Sequence, residues 1–162
     1  CYISSWNILE ELQAEGRTKS IGVSNFQTRH LRDLMDHSKI VPVVNQIECH
    51  PLCYPRELIE YCQANGIQVQ AYAPWAPLGR TNVFEDPVIV AVAKAYGRTP
   101  AQIILRWEIQ NGIIVIPKSV HRERIIENSQ IFDFELKPED MAKMDGLNKN
   151  QRFGPSPDTF DF

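Results

Sequence analysis

The 162-residue chain is poor in cysteine, has no long apolar run and shows no excess of basic residues. Four cysteines are too few for a disulfide-rich scaffold, so a reducing cytoplasm is the expected location. No apolar run approaches the roughly 20 residues of a membrane helix, and no secretory signal pattern opens the sequence, so no membrane role is expected. Lys and Arg number 17 against 20 Asp and Glu, and the net charge of −3 argues against nucleic-acid binding through bulk basicity.

The length suits one domain, and because the chain begins at Cys1 without Met, we expect an incomplete or processed piece. Short apolar runs alternate with stretches of helical periodicity. Strands are predicted at 20–23, 41–47, 67–72 and 113–116. Helices are predicted at 5–14, 27–36, 55 to about 65, 87–96, 100 to about 111, 122–129 and 138 to about 147, before an irregular tail at 151–162. This alternation predicts an α/β fold with a parallel sheet, either doubly wound or part of a (β/α)₈ barrel.

Two of the predicted strands end in polar residues. Ser24 and Asn25 end the first, where their side chains could hydrogen-bond a planar carboxamide ligand; the alternative is an ordinary helix N-cap. Gln46 lies in the second, where it could hold the other side of the same ligand; the alternative is an internal hydrogen-bond network.

The third predicted strand ends at Tyr72, whose ring offers a flat face for stacking. The loop that follows, 75–80, combines Pro, Gly and Arg in a way that suits a ligand clamp. The alternative is a core aromatic residue followed by a proline-stiffened loop.

Soft metal ligands are concentrated within 14 residues of the sequence: Cys49, His50, Cys53 and Cys62. They lack a paired C-x-x-C spacing, and Cys62 fits the apolar side of a helix. We therefore predict no metal site, with small buried cysteines as the simpler interpretation.

The fourth predicted strand is followed by the most informative motif, 116–128. Lys118, the Ser119 hydroxyl, helix N-terminal N–H groups and Arg124 could converge on a phosphate. Glu127 and Asn128 lie one turn further along and could reach a purine edge. The alternative is a solvated basic helix.

These four stretches, in this order, resemble the aldo-keto reductase family, most closely its bacterial and yeast-type members that include diketogluconate reductases. The resemblance covers essentially the whole chain. It implies a (β/α)₈ barrel that binds NADPH without a Rossmann fold, and the sequence indeed has no G-x-G-x-x-G. Four βα units would then be the second half of the barrel, with 1–162 as one oxidoreductase domain, incomplete at its N-terminus.

The resemblance also implies roles for individual residues. The nicotinamide carboxamide would be held by Ser24, Asn25 and Gln46, and its ring stacked by Tyr72. The pyrophosphate loop would include Trp75 and Leu78, although its sequence differs from the usual family pattern. The 2′-phosphate would be held by Lys118, Ser119 and Arg124, and adenine by Glu127 and Asn128. Residues 151–161 resemble the substrate loop.

The family's catalytic set of Tyr, Lys, Asp and His has no match in the sequence and is expected upstream of Cys1. The predicted function is NADPH-dependent reduction of small aldehydes or ketones to alcohols, with this chain as a cofactor-binding half that is inactive alone. The alternatives are a non-catalytic NADP(H)-binding module and an unrelated phosphate-binding barrel enzyme. The sequence does not indicate an oligomeric state.

Overall fold

The computed structural model describes residues 2–76 and 81–159. Within these residues, the strands are β1 (Val23–Ser24), β2 (Val44–Glu48), β3 (Gln68–Tyr72) and β4 (Ile114–Val115). The helices are α1 (Tyr2–Ala14), α2 (Thr28–Asp36), α3 (Arg56–Ala64), α4 (Pro87–Tyr96), α5 (Pro100–Gln110), α6 (Arg122–Ser129) and α7 (Pro138–Asp145). A 3₁₀ helix, Val83–Glu85, precedes α4.

The four strands form one sheet in chain order, β1-β2-β3-β4. β1 pairs with β2 in parallel, with Val23 opposite Asn45. Because every strand is followed by at least one helix before the next, each connection is a crossover, as the alternation in the sequence predicted.

The first and last strands are shorter than predicted. Ile21 is buried and its carbonyl accepts a hydrogen bond from the Val43 N–H at 3.0 Å, but the paired residues begin only at Val23. Gly22 allows the segment before β1 to approach the start of β2 closely, since a Cβ on it would lie 2.4 Å from Val44 Cγ1. β4 is limited to Ile114–Val115, two residues of the four predicted.

The two middle strands bury alternate residues. In β2 Asn45 and Ile47 are buried while Gln46 is only partly covered. In β3 the buried residues are Val69 and Ala71, while Tyr72 is partly covered. Because side chains alternate along a strand, the residues predicted to contact a ligand share the less covered face of each strand.

Two helices begin and end where local sequence signals predict. The Asp86 side chain accepts a hydrogen bond from Val88 N at 2.9 Å before α4, and Gly97 ends that helix with φ of 61°. At α5, Thr99 accepts from Gln102 N while the Gln102 side chain accepts from Thr99 N, a capping box. These bonds satisfy backbone groups that a helix end leaves open.

Internal contacts divide the chain into two compact units. The first comprises the chain up to Ile47, the segment Arg56–Gln70 and the stretch from Pro155. Its core is formed by Trp6, Ile21 and Leu34. The indole N–H of Trp6 donates to the Ile40 carbonyl at 3.2 Å, so the ring is both packed and hydrogen-bonded.

The second unit comprises Glu48–Pro55 and Ala71–Gly154. Helices α4 and α5 pack against each other and contribute fully buried residues to its core. Trp107 is the largest of these; its indole N–H donates to Asp145 at 2.8 Å and its ring packs on Tyr54 at 5.0 Å. The longest helix described, α1, has 13 residues, and no helix in the described ranges has the length and apolar character needed to cross a membrane.

Candidate functional site

The end of β1 lies beside the middle of β2, which brings Ser24, Asn25 and Gln46 together within the first unit. The Ser24 hydroxyl donates to the Gln46 carbonyl at 3.0 Å, and the Asn25 N–H donates to the same oxygen at 2.8 Å. Asn25 has φ of 59°, in the left-handed region that Asn tolerates better than most residues. The Gln46 side-chain amide donates to Gln70 Oε1 at 2.5 Å, which fixes the direction of its carboxamide group.

The structure excludes the N-cap interpretation of Ser24 and Asn25. The N-cap of α2 is Gln27, which forms a reciprocal capping box with His30. Ser24 instead bonds to the neighbouring strand. The polar pair therefore belongs to the strand end, where the ligand hypothesis places it.

Asn45, the second residue of β2, is a structural residue that the sequence interpretation did not single out. It is fully buried; its side chain donates to the Phe26 carbonyl at 2.9 Å and accepts from the Phe26 N–H at 3.3 Å. These bonds match the alternative given for the second predicted strand, an internal hydrogen-bond network. An Asn at a buried position of a strand is the signal that could have identified it, because a buried amide needs partners.

A pocket of about 650 Å³ lies in the second unit. It is lined by the predicted site residues of motif 116–128 and by residues from three other segments. The lining consists of Trp75, Phe84, Thr99, Pro100, Ala101, Lys118, Ser119, Val120, His121, Arg124, Glu127 and Asn128. The predicted phosphate and purine residues are thus brought together around one cavity.

The pocket lining includes two cations, Lys118 and Arg124. Within residues 2–76 and 81–159, neither Lys118 nor Arg124 has a carboxylate within ion-pair distance. The Ser119 hydroxyl accepts from the His121 N–H at 3.1 Å and so forms the turn that leads into α6. His121, the N-cap of α6, provides no side-chain acceptor for the helix N–H groups. Exposed N–H groups and unpaired cations are the features that bind a phosphate.

The pocket lining also includes aromatic and acidic residues. Trp75 and Phe84 meet edge to face, with ring centroids 5.9 Å apart. The Trp75 indole N–H is buried and has no acceptor in the described part of the chain. Glu127 accepts from the Thr99 hydroxyl at 2.6 Å, which holds its carboxylate at the pocket wall. A buried donor without a partner is costly, so the Trp75 N–H suits a ligand acceptor.

The rest of the predicted pyrophosphate loop, including Leu78, lies outside the described residues. Of the two loop residues predicted to contact the ligand, only Trp75 is therefore placed, and it lines the pocket.

Tyr72 stands at the carboxyl end of β3, in the second unit. Its hydroxyl accepts a hydrogen bond from Arg152 Nη2 at 3.3 Å. Burial raises the pKa of Tyr72, and the positive charge of Arg152 partly offsets this increase. The side chain is therefore a neutral, oriented aromatic ring at ordinary pH.

Glu48 is a buried carboxylate that the sequence interpretation did not assign. It accepts hydrogen bonds from the N–H groups of Phe153 at 2.7 Å and Gly154 at 2.8 Å, and His50 Nε2 lies 3.2 Å away. Burial pushes the pKa of Glu48 up, but the two backbone donors and His50 together lower it below its usual value. Glu48 is thus an ionised group held by donors from a distant segment.

The three cysteines considered above as soft metal ligands are buried and free: Cys49, Cys53 and Cys62. Burial raises the pKa of each thiol, most strongly that of Cys49. A raised pKa disfavours the thiolate that binds a metal. Among the described residues, no three or more His, Cys, Asp or Glu side chains are grouped so that they could hold a metal ion.

Comparison with known proteins gives a consistent result. Residues 2–149 match the model of the aldo/keto reductase family. The chain is 52% identical over 161 residues to the uncharacterized oxidoreductase YtbE of Bacillus subtilis, covering 99% of this chain and 56% of that protein. It is 46% identical over 157 residues to the glyoxal reductase of the same organism, covering 97% and 56%. The chain therefore spans about half the length of these curated relatives.

Solved structures that are similar to this chain lead to the same family. MGS-M4, an aldo-keto reductase from a Medee basin deep-sea metagenome library, has a TM-score of 0.96 at 38% identity, covering 99% of this chain and 59% of that one. A variant of Gox0644 in complex with NADPH has a TM-score of 0.92 at 43% identity, covering 99% and 58%. A Bombyx mori aldo-keto reductase in complex with NADP has a TM-score of 0.88 at 37% identity, covering 93% and 52%. The predicted fold is confirmed: the chain is part of a (β/α)₈ barrel.

Proposed function

Since the chain belongs to the aldo/keto reductase family, we propose that it binds NADP(H) and contributes the cofactor-binding part of an NADPH-dependent carbonyl reductase. The substrates of the whole protein would be small aldehydes or ketones, reduced to alcohols. The observation that carries the proposal is the pocket in which Lys118, Ser119 and Arg124 meet.

The residues of this pocket fit the adenosine 2′-phosphate of NADP(H). Lys118 and Arg124 supply positive charge, and the first turn of α6 supplies N–H donors that His121 leaves uncapped. Glu127 and Asn128 provide polar atoms for a purine edge, beside the ring of Trp75. A cofactor without the extra phosphate would leave both cations unpaired, which is the physical basis for a preference for NADPH over NADH.

The nicotinamide end is assigned to residues of β1, β2 and β3 and to Asn25, which follows β1. We propose that Ser24, Asn25 and Gln46 hydrogen-bond the carboxamide group, since side-chain amides and a hydroxyl provide both donors and acceptors. Tyr72 would pack its ring against the pyridine ring, an interaction of about 1 kcal/mol.

When bound, NADPH supplies a hydride from its nicotinamide ring to the carbonyl carbon of the substrate. The residues of this chain bind and orient that ring. A proton donor for the carbonyl oxygen is also needed, and we propose that it belongs to the Tyr, Lys, Asp and His set expected upstream of Cys1.

The environments of three of the five tyrosines support that assignment. A proton donor works best with a pKa near the operating pH. Tyr2, Tyr72 and Tyr96 all have a raised pKa: for Tyr2 the main cause is its hydrogen bond to Asp33, and for the other two it is burial. These shifts are opposite to the one that a catalytic tyrosine requires.

The test is a titration of the purified chain with NADPH and NADH, followed by fluorescence. Arg124→Ala is expected to weaken NADPH by roughly tenfold or more, because charge-assisted hydrogen bonds to the 2′-phosphate are lost. NADH affinity should change little. Arg122→Ala is the matched control, since Arg122 is exposed on the same helix and does not line the pocket. Equal losses for both cofactors would refute the assignment of Arg124.

A second candidate is a non-catalytic NADP(H)-binding module. It is favoured by the fact that, among the residues the structure describes, the pocket lining comes from between Trp75 and Asn128 of this chain. An aldehyde panel separates the two: turnover by this chain would exclude a purely binding role and the upstream location of the acid. We also propose a cytoplasmic location, supported by the three buried free cysteines, and a single domain over 1–162.

A further inference from the structure

The carboxylate of Glu48 is contacted by four donor groups although it is almost completely buried. Its side chain is 1% exposed. Phe153 N and His50 Nε2 contact Oε1, while Gly154 N and Arg152 Nε contact Oε2, the last at 3.5 Å. A buried charge needs such compensation, because an unpaired carboxylate in the interior is strongly unfavourable. Three of these donors come from one short segment, Arg152–Gly154.

The same segment also contacts Tyr72. Arg152 Nη2 donates to the Tyr72 hydroxyl at 3.3 Å. Gly154 lies where a side chain would crowd both groups: a Cβ there would be 2.9 Å from Glu48 Oε2 and 3.1 Å from the Tyr72 hydroxyl. The segment is therefore seated between the Glu48 carboxylate and the Tyr72 hydroxyl.

We propose that Glu48 is a positioning residue, which seats the Arg152–Gly154 segment against the Tyr72 hydroxyl and so fixes the orientation of the Tyr72 ring toward the nicotinamide. This rests on the proposed function, in which Tyr72 stacks on the pyridine ring. Glu48 does not touch the cofactor; it acts through Arg152 and Gly154.

The first measurement is amide hydrogen exchange in the native chain and in Glu48→Gln. The amide replaces a charged acceptor by a weaker neutral one, so the N–H groups of Phe153 and Gly154 should exchange roughly tenfold faster or more. The N–H groups of Lys149 and Gln151 donate to the Leu52 carbonyl instead, at 3.1 and 2.9 Å, and should be unaffected. Unchanged exchange at Phe153 and Gly154 would overturn the proposal.

The second measurement compares two ligands. NADPH carries the nicotinamide, whereas adenosine 2′,5′-bisphosphate carries only the part assigned to the Lys118 and Arg124 pocket. Glu48→Gln is expected to raise the Kd for NADPH several-fold and to leave the Kd for the bisphosphate unchanged. Glu48→Asp, which keeps the charge, should restore part of the NADPH affinity. A merely structural role would change both affinities alike, or neither.

Gly154→Ala perturbs the segment while Glu48 stays intact, so it tests the proposal even where Glu48→Gln folds poorly. It should reproduce the selective loss of NADPH affinity, because the added methyl group displaces the segment from Tyr72. Gly146→Ala is the matched control, since a Cβ there would be at an ordinary 3.4 Å from the nearest atom outside its neighbours. Equal effects of the two substitutions would count against the proposal. Failure of the native chain to bind either ligand would refute the proposed function itself.

Discussion

Glu108 is the most unusual residue outside the proposed site. It lies on α5, is fully buried, and neither carboxylate oxygen has a hydrogen-bond partner among the residues described. Burial raises its pKa well above the usual value. The folded chain therefore holds Glu108 protonated at a pH where the unfolded chain has already lost that proton.

This difference makes stability depend on pH. The unfolded state binds fewer protons than the folded state between the unfolded pKa of about 4.3 and the higher folded pKa, so stability is lost as pH rises through this range. Glu108→Gln removes the titration. The variant should gain stability relative to the native chain as pH rises, by up to about 1.4 kcal/mol per pH unit.

Urea unfolding of both proteins at several pH values measures this effect. Glu11→Gln, at an exposed position of α1, is the control and should leave the pH profile of the native chain unchanged. Parallel profiles for the native chain and Glu108→Gln would mean that Glu108 is ionised in the folded protein.

At the scale of elements, α5 and α6 are joined by polar contacts that also shape the pocket. Gln102 on α5 donates to the carbonyls of Glu127 and Gln130, both at 3.1 Å. Thr99, the N-cap of α5, donates to the Glu127 carboxylate at 2.6 Å. The helix start and the pocket wall thus depend on the same hydroxyl group.

Thr99→Ala should therefore affect both stability and binding. Loss of the cap is expected to cost about 1 kcal/mol of unfolding free energy. Adenosine 2′,5′-bisphosphate should also bind less tightly, because Glu127 loses the contact that orients it. Thermal unfolding and ligand titration test the two effects; Thr18→Ala, at a half-buried threonine outside any helix, is the control for both. Unchanged affinity would show that Glu127 needs no support from Thr99.

At the scale of the whole molecule, the charge of the pocket contrasts with that of the chain. The net charge is −3, yet Lys118 and Arg124 meet at one cavity without a carboxylate partner in the described segments. Attraction of a doubly charged phosphate is therefore local, and dissolved ions should screen it.

Ionic strength tests this contrast. Raising NaCl from about 0.1 M to about 1 M shortens the Debye length from about 10 Å to about 3 Å. The Kd for NADPH should rise several-fold, whereas the Kd for NADH should change much less. A salt dependence that is the same for both cofactors would show that the 2′-phosphate is not bound by these cations.

The predictions from sequence succeeded where neighbours in the chain carry the information. The bounds of α4 match because Pro87 and Gly97 are local signals. Seven residues of motif 116–128 line one pocket, because the motif runs from one strand into one helix; their roles toward a cofactor stay a prediction. The (β/α)₈ fold and the family were predicted from the order of four such motifs.

What the sequence did not reveal depends on distant partners. No residue near Glu48 in the sequence indicates that Phe153 and Gly154 provide its hydrogen-bond donors. Likewise, no residue near Glu108 indicates that its carboxylate has no hydrogen-bond partner among the described residues. The edge-to-face contact between Trp75 and Phe84 likewise arises only from the tertiary arrangement. Periodicity identifies which residues are buried, but the partner of a buried polar group is decided by packing.

The donors of Glu48 have a kinetic consequence. Phe153 lies 105 residues beyond Glu48 in the chain. During synthesis, Glu48 is therefore made long before the segment that provides most of its hydrogen-bond donors. Water must remain around the carboxylate until then, because early dehydration would be unfavourable. Closing so large a loop is slow compared with forming helices. We therefore expect the region around Glu48 to be among the last parts of a newly made chain to lose its hydration.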